Sequence, residues 1–506
     1  MDSYDVVVVG GGHNALVAAT YLAKAGRSVL VVEKLGQVGG AAVSASPFPG
    51  VPARLSRFSY LVSLLPDRIV ADLGLRLELR SRAASSYTAA GTGGLLVERV
   101  PGPDTVGSFR ALTGSDEAWD RWRAWYASLD ELAAAVAPTM LEPLVSRARF
   151  RELAGPVWPQ VFEQPLGTTL EELFTDDVVR GVVATDGLIG THTSLRSPDL
   201  LANRCFLYHV IGNGTGEWRV PVGGMGAVTA ELFRVATEAG VDFVTGAEVT
   251  RVSADGTTGE VTFDGRFVRS RSVLAGVAPA VLDSLRGKEV VPRGEGCQLK
   301  INMLLTKLPR LKSGVDPTLA FAGTFHLDES YSQLERAYAE SAAGAVPSVL
   351  PGEMYCHSLT DPTILDPSLE GYQALTLFGL HLPAALFEGR NDQLRDTLVT
   401  RYLTALNTHL VDPIETCLAT DTNGNPCIEA RTPLDLEAEL TMPRGNIFHG
   451  DLSWPFAETD AEIGTWGVET DTPNLFLCAA GARRGGGVSG IPGHNAAMAV
   501  LNHLHP

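Results

Sequence analysis

Three glycine clusters carry the residues whose types and spacing could do chemistry. The first, Gly10-Gly11-Gly12-His13-Asn14-Ala15, follows a valine run at 6–9 and precedes an alanine-rich stretch at 16–25. Its order is strand, glycine turn, helix, and Gly10, Gly12 and Ala15 satisfy G-x-G-x-x-G/A. The first glycine makes the tight turn, the second lets a pyrophosphate reach the backbone, and Ala15 lets the helix pack close. The N-terminus of that helix, with His13 and Asn14 beside it, then faces the phosphates with unpaired N–H groups. Glu33 stands at the tip of the next apolar run, 28–32, where a carboxylate accepts hydrogen bonds from both ribose hydroxyls. Together these residues predict a dinucleotide-binding βαβ unit.

Downstream, Lys34-Leu35-Gly36-Gln37-Val38-Gly39-Gly40-Ala41-Ala42 departs from a plain NAD unit, which would run on into another crossover helix. A second Gly-Gly this soon resembles the FAD-binding glutathione-reductase-like superfamily. The resemblance implies that Gly39, Gly40, Ala41 and Ala42 follow the pyrophosphate and ribityl chain, with Lys34 beside the ribose carboxylate. The second cluster, at 221–226, precedes a helix over about 227–239, a strand over 241–252 and a hairpin over 261–278 that turns at Asp264-Gly265. In the superfamily such a return adds strands to the cofactor domain and places Val249 on the adenine side. The third cluster follows a strand over 473–481 and precedes a helix over 494–504. By the same resemblance, Gly481, Gly486, Gly487 and Val488 close over the flavin.

The stretches GGGHNALVAATYLAKAG, VEKLGQVGGAA, SLRSPDL, PVGGMGAVT, GNIFHGDLS and PNLFLCAAGARRGGGVSGIPGHNAA resemble the bacterial phytoene desaturase family of FAD-dependent oxidoreductases. They resemble in particular its branch of pyridine nucleotide-disulfide oxidoreductase domain-containing protein 2. The likeness runs from end to end. It implies an α/β fold in which a glutathione-reductase-like Rossmann domain (1–75, 215–300 and 440–506) is interleaved with an α+β substrate domain (76–214 and 301–439, helical over about 116–180). It implies noncovalent FAD. No second G-x-G-x-x-G for a nicotinamide nucleotide is visible, and without a C-x-x-C no disulfide chemistry is indicated.

At the third cluster the family's Cys-Gly-Ala-Gly-Thr-His-Pro-Gly-Gly-Gly becomes Cys478-Ala479-Ala480-Gly481-Ala482-Arg483-Arg484-Gly485-Gly486-Gly487. Two readings stay open for Arg483 and Arg484. Either a guanidinium faces the flavin, favouring a polar or carboxylate-bearing substrate over a polyene, or both arginines pair with carboxylates or solvent. His449, in a motif resembling the family's, is a candidate base near neutral pH, with a structural hydrogen bond as the alternative. Tyr208, His209 and Trp218 flank the glycine-rich loop 212–216 and complete the catalytic candidates; packing is the competing role for each.

Composition narrows the partners. The 506 residues carry 40 Lys and Arg against 58 Asp and Glu, a net charge of -18, which repels nucleic acid and anionic lipid surfaces. No apolar run has the length of a membrane span, no secretory signal opens the chain, and six scattered cysteines read as buried thiols in the cytoplasm. No metal-ligand cluster stands out. The expected activity is removal of a hydride from a small organic substrate to form C=C or C=N, with oxygen or a quinone-like acceptor reoxidising the flavin. A flavin amine or amino-acid oxidase, an FAD-dependent isomerase and a non-catalytic protein of the same fold are the alternatives.

Overall fold

The computed structural model describes residues 3–91, 93–291 and 293–504. Strand Ser3–Val9 is buried from Val6 onward and lies parallel to Val29–Glu33 on one side and to Arg266–Ala275 on the other. Its side chains alternate between two cores. Val6, Val8, Val29 and Val31 pack on Ala15, Ala18 and Leu22 of helix His13–Lys24 and on Ala496 and Val500 of helix Ile491–Leu504. Val7, Val9, Leu30 and Val32 meet Val252, Val261 and Phe263 on the opposite face. A strand covered on both faces has to be apolar throughout, hence the unbroken valines. The two helices close on each other at Gly493, where an added Cβ would lie 2.0 Å from Asn14 O, so only glycine permits the contact.

The run 241–252, expected as one strand, is two. Gly246, at φ +70°, turns the chain between them, its N–H donating to Leu35 O at 2.9 Å. Asp242–Thr245 extends the sheet beside Val29–Glu33. Val249–Ala254 instead joins the other edge, antiparallel to Gly259–Phe263, which hairpins into Arg266–Ala275 through the positive-φ pair Asp264 and Gly265. Apolar periodicity is much the same on either side of the three-residue turn 246–248 and could not reveal the break. The last strand, Leu475–Leu477, pairs with the second half of Arg266–Ala275.

A second seven-stranded sheet runs in the order Ile428–Arg431, Leu299–Leu305, Gln373–Gly379, Gly352–Cys356, Thr324–Leu327, Ala84–Ala90, Gly93–Glu98. One face (Ile301, Met303, Phe325, Met354, Leu377) packs on Leu398, Tyr402 and Leu406 of helix Asn391–Asn407. With a period of two, the residues between them point the other way. Helices from Glu117–Val136 to Leu201–Ile211 form a further apolar core around Trp119, Trp122, Trp125 and Phe206. Among the described residues no helix is long and apolar enough to cross a membrane. All six cysteines are buried and unpaired.

Candidate active site

The glycine turn opens on a cavity of about 1050 Å³ lined by Gly10, Gly12, His13, Asn14 and Ala15. Gly10 sits at φ +88°, and a Cβ there would come 3.0 Å from Gly276 O, so turn and close approach both require glycine. Gly12 differs: its φ of -67° suits any residue, and a Cβ there would meet nothing within 4 Å. The space it leaves open belongs to the cavity. Glu33, also on the wall, accepts from Gly11 N at 2.6 Å and Leu35 N at 2.8 Å. Three buried atoms around the turn, His13 Nε2, Asn14 Oδ1 and His449 Nδ1, have no hydrogen-bond partner in the protein. Polar atoms left so in a cavity wall call for a polar ligand. Open space before a glycine, a helix N-terminus, a carboxylate and orphaned polar atoms together fit a bound dinucleotide.

The second sheet supplies the facing wall. Register partners Lys300, Phe378, Glu353 and His326 run side by side across four neighbouring strands, and all four line the cavity. Lys300 Nζ donates to Ser56 O and Phe58 O, both at 2.7 Å, and lies 4.8 Å from the centre of the Tyr60 ring. Burial drives its pKa well below the ordinary lysine value. Glu353 accepts hydrogen bonds from the Tyr355 hydroxyl and, at 3.2 Å, from Thr185 Oγ1. His326 Nδ1 pairs with Glu329 at 2.5 Å. Burial raises the Glu353 and Asp186 carboxyls to about 7 and lowers His326.

The residues expected to hold a cofactor divide. Lys34, Gly40, Ala41, Val249, Gly486, Gly487 and Val488 line the cavity along with the turn. Gly39, Ala42 and Gly481 do not, and their roles are structural. The Gly39 N–H donates to Gly11 O at 2.8 Å, tying the two glycine loops together. Ala42 O accepts from the Thr229 hydroxyl, and Gly481 packs where a Cβ would lie 2.5 Å from Pro279.

Neither guanidinium reaches the cavity wall, so of the two readings the one in which an arginine faces the flavin is corrected, and pairing away from it holds for Arg483. Arg484, 1% exposed, donates to Thr139 O at 2.9 Å, Glu142 O at 2.5 Å and Trp466 O at 2.7 Å. Burial lowers its pKa to about 10. Arg483 pairs with Glu458 at 2.7 Å and Glu462 at 2.5 Å. The carboxylate-bearing substrate inferred from them loses its support. His449 and His209 do line the cavity, but burial lowers each to about 4. Burial of this kind favours the neutral imidazole, and His449 Nδ1 makes no structural hydrogen bond among the described residues. His209 Nδ1 donates to Cys205 O at 2.9 Å and its ring stacks on Trp218, 4.9 Å between centroids. Tyr208 donates to Ser453 O at 3.0 Å. Tyr208, His209 and Trp218 thus shape the wall through held orientations.

Comparison with known proteins matches residues 8–67 to the NAD(P)-binding Rossmann-like domain family. An uncharacterised Mycobacterium tuberculosis protein is 48% identical over 98% of this chain and 97% of its own. The Mus musculus pyridine nucleotide-disulfide oxidoreductase domain-containing protein 2 is 30% identical over 99% of this chain and 94% of its own. This chain belongs to that FAD-dependent oxidoreductase family. Among solved structures, cyclohexylamine oxidase from Brevibacterium oxydans superposes with a TM-score of 0.58 at 16% identity, covering 99% and 100% of the two chains. At that identity the likeness is one of fold: a Rossmann-type domain interleaved with a mixed α/β second part.

Sequence reading of this oxidoreductase missed Lys300, Arg82, Asp186, His326, Glu353 and Tyr355. A signal was present. In GEMYC (352–356) and TFHL (324–327) polar residues alternate with apolar ones, a pattern usually read as one wet face. Here that face is covered by the cavity and the helices beyond it, so its polar residues are buried.

Proposed function

We propose that the protein is an FAD-dependent oxidoreductase that removes a hydride from a small organic substrate while a base takes the proton from the neighbouring atom, leaving a C=C or C=N bond, with oxygen or a quinone-like acceptor as the final oxidant. The observation that carries this reading is one cavity whose wall includes both the glycine cradle and the polar row of the second sheet. Bound noncovalently, FAD would supply the two-electron acceptor. The chain's part is to hold, orient and enclose. Gly10, Gly12, His13, Asn14 and Ala15 would face the pyrophosphate; Glu33, Lys34 and Val249 the adenosine; and Gly40, Ala41, Gly486, Gly487 and Val488 the ribityl chain and ring. Tyr60, Trp122 and Phe378, also on the wall, would exclude water from the substrate. On this reading 1–75, 215–300 and 440–506 form the FAD-binding part and 76–214 and 301–439 the substrate-binding part.

The purified protein is expected to be yellow and to release about one FAD per chain on acid precipitation, since the cofactor is held by the fold alone. With no second nicotinamide fingerprint, NADH and NADPH should bleach it poorly in anaerobic stopped-flow mixing. A colourless protein that cannot be reconstituted with FAD, one carrying NAD instead, or fast bleaching by micromolar NADPH would refute the proposal.

A further inference from the structure

We infer that Asp186, Glu329 and Glu353, together with His326, form a docking site for a positively charged nitrogen of the substrate; the inference rests on the cavity being the substrate chamber of a flavin oxidoreductase. Glu353 and His326 are cross-strand partners, and Glu329 holds the His326 ring from the turn that follows the same strand. One ligating atom from each of these three buried residues falls within 4.8 Å of the others. On the cavity wall Asp186, from the helical segment, joins Glu353 and His326, while Glu329 lies behind the His326 ring and acts through it.

The charges do not balance. Arg82 is the guanidinium facing the group, and it already donates to Trp218 O at 3.2 Å and Thr324 Oγ1 at 3.1 Å. Burial lowers the pKa of His326, and the Glu353 and Asp186 carboxyls pull it the other way. Thr185 has a single hydroxyl proton and gives it to Glu353, so Glu329 Oε1, on a residue 1% exposed, has no donor. Two buried carboxylates and a partly buried third outnumber the cations that face them, and at low dielectric that imbalance favours protons on the carboxyls until a further cation arrives. Burial raises Glu329 well above its usual value and Asp186 and Glu353 to about 7, with the neighbouring carboxyls adding to the rise; His326 and Arg82 oppose it for Asp186, His326, Tyr355 and Thr185 for Glu353, and Thr185 for Glu329. The neighbouring phenols of Tyr60, Tyr126 and Tyr355 are themselves pushed up and stay neutral. Their rings and that of Trp122 give the cavity the aromatic faces that suit a cation.

An organic cation fits better than a metal ion. Both Glu353 oxygens already accept hydroxyl protons and His326 Nδ1 is committed to Glu329, whereas a divalent ion demands several donors free to converge at 2.0–2.6 Å. An ammonium uses the remaining lone pairs at ordinary hydrogen-bond distance, and the cavity has room for the carbon skeleton it carries.

The test is calorimetry on the holoprotein, under argon, with benzylammonium and the neutral benzyl alcohol as probes. Benzylammonium is expected to bind at least about tenfold more tightly and to release protons near pH 7, seen as a buffer-dependent heat. Its affinity should rise between about pH 6 and pH 8 as Asp186 and Glu353 ionise. Glu353→Gln and Asp186→Asn should each erase most of the preference for benzylammonium over benzyl alcohol. Equal affinity for the two probes, no detectable benzylammonium binding, absence of proton release, or stoichiometric Zn²⁺ binding that needs the same residues would overturn the inference. The wild-type measurements decide it even if a variant fails to fold. Flavin content of the same samples separates the two readings: FAD without cation preference refutes this one alone, and cation preference without FAD refutes the proposed function alone.

Discussion

Gly12→Val is expected to give a folded protein that no longer retains FAD. The backbone at Gly12, φ -67° and ψ 167°, is extended and open to any residue, and an added Cβ has no protein atom within 4 Å. Folding therefore has no reason to suffer. The valine would instead occupy the space beside the helix N-terminus that a pyrophosphate needs, weakening binding by at least about 3 kcal/mol, roughly a hundredfold. The flavin-to-protein ratio after gel filtration reads the loss. The thermal midpoint should match that of wild-type apoprotein, because ligand loss alone lowers stability. Gly10→Val is the contrast: at φ +88° and 3.0 Å from Gly276 O, a side chain strains the turn itself and should lower the midpoint of the apoprotein too. A Gly12→Val protein with a full complement of FAD would remove the glycine cradle from the cofactor site.

Arg484→Leu is expected to destabilise the fold without touching the chemistry of the molecules that remain folded. The guanidinium joins carbonyls of two segments, Thr139 and Glu142 on one and Trp466 on the other. Removing it strands three partly buried acceptors, at about 3 kcal/mol in total, enough to lower the thermal midpoint by roughly 3 °C in a chain of this length. Lysine should rescue little, since a single ammonium lacks the planar fork that reaches both segments. Arg483→Leu should cost about 2 kcal/mol: its carboxylate partners Glu458 and Glu462 are 45% and 32% exposed and can be solvated, but the carbonyls of Trp454 and Phe456 lose a donor as well. Turnover per bound flavin should be unchanged in all three variants. A tenfold fall in turnover at unchanged stability would return the arginines to the active site.

What the sequence by itself determined is local. The valines at 6–9, the glycine turn and Glu33 are contiguous or nearly so, and each property they need, a strand buried on both faces, a positive φ at Gly10, open space at Gly12, a carboxylate at a strand tip, follows from residue type and short spacing. The polar row depends on partners far apart in the chain. Lys300, His326, Glu353 and Phe378 become neighbours only through the pairing of four strands, and nothing in 299–305 or 352–356 announces which strand will lie alongside. The arginines show the same limit from the other side. A glycine-rich loop suggests proximity to a ligand, but the direction of a side chain is set by what surrounds it, and Arg484, at φ +63°, meets the carbonyls of 139, 142 and 466 rather than the cavity. Spacing along the chain specifies a cradle made of backbone; the placement of charges contributed by separate strands and helices is decided by long-range packing, where burial and register select the partners.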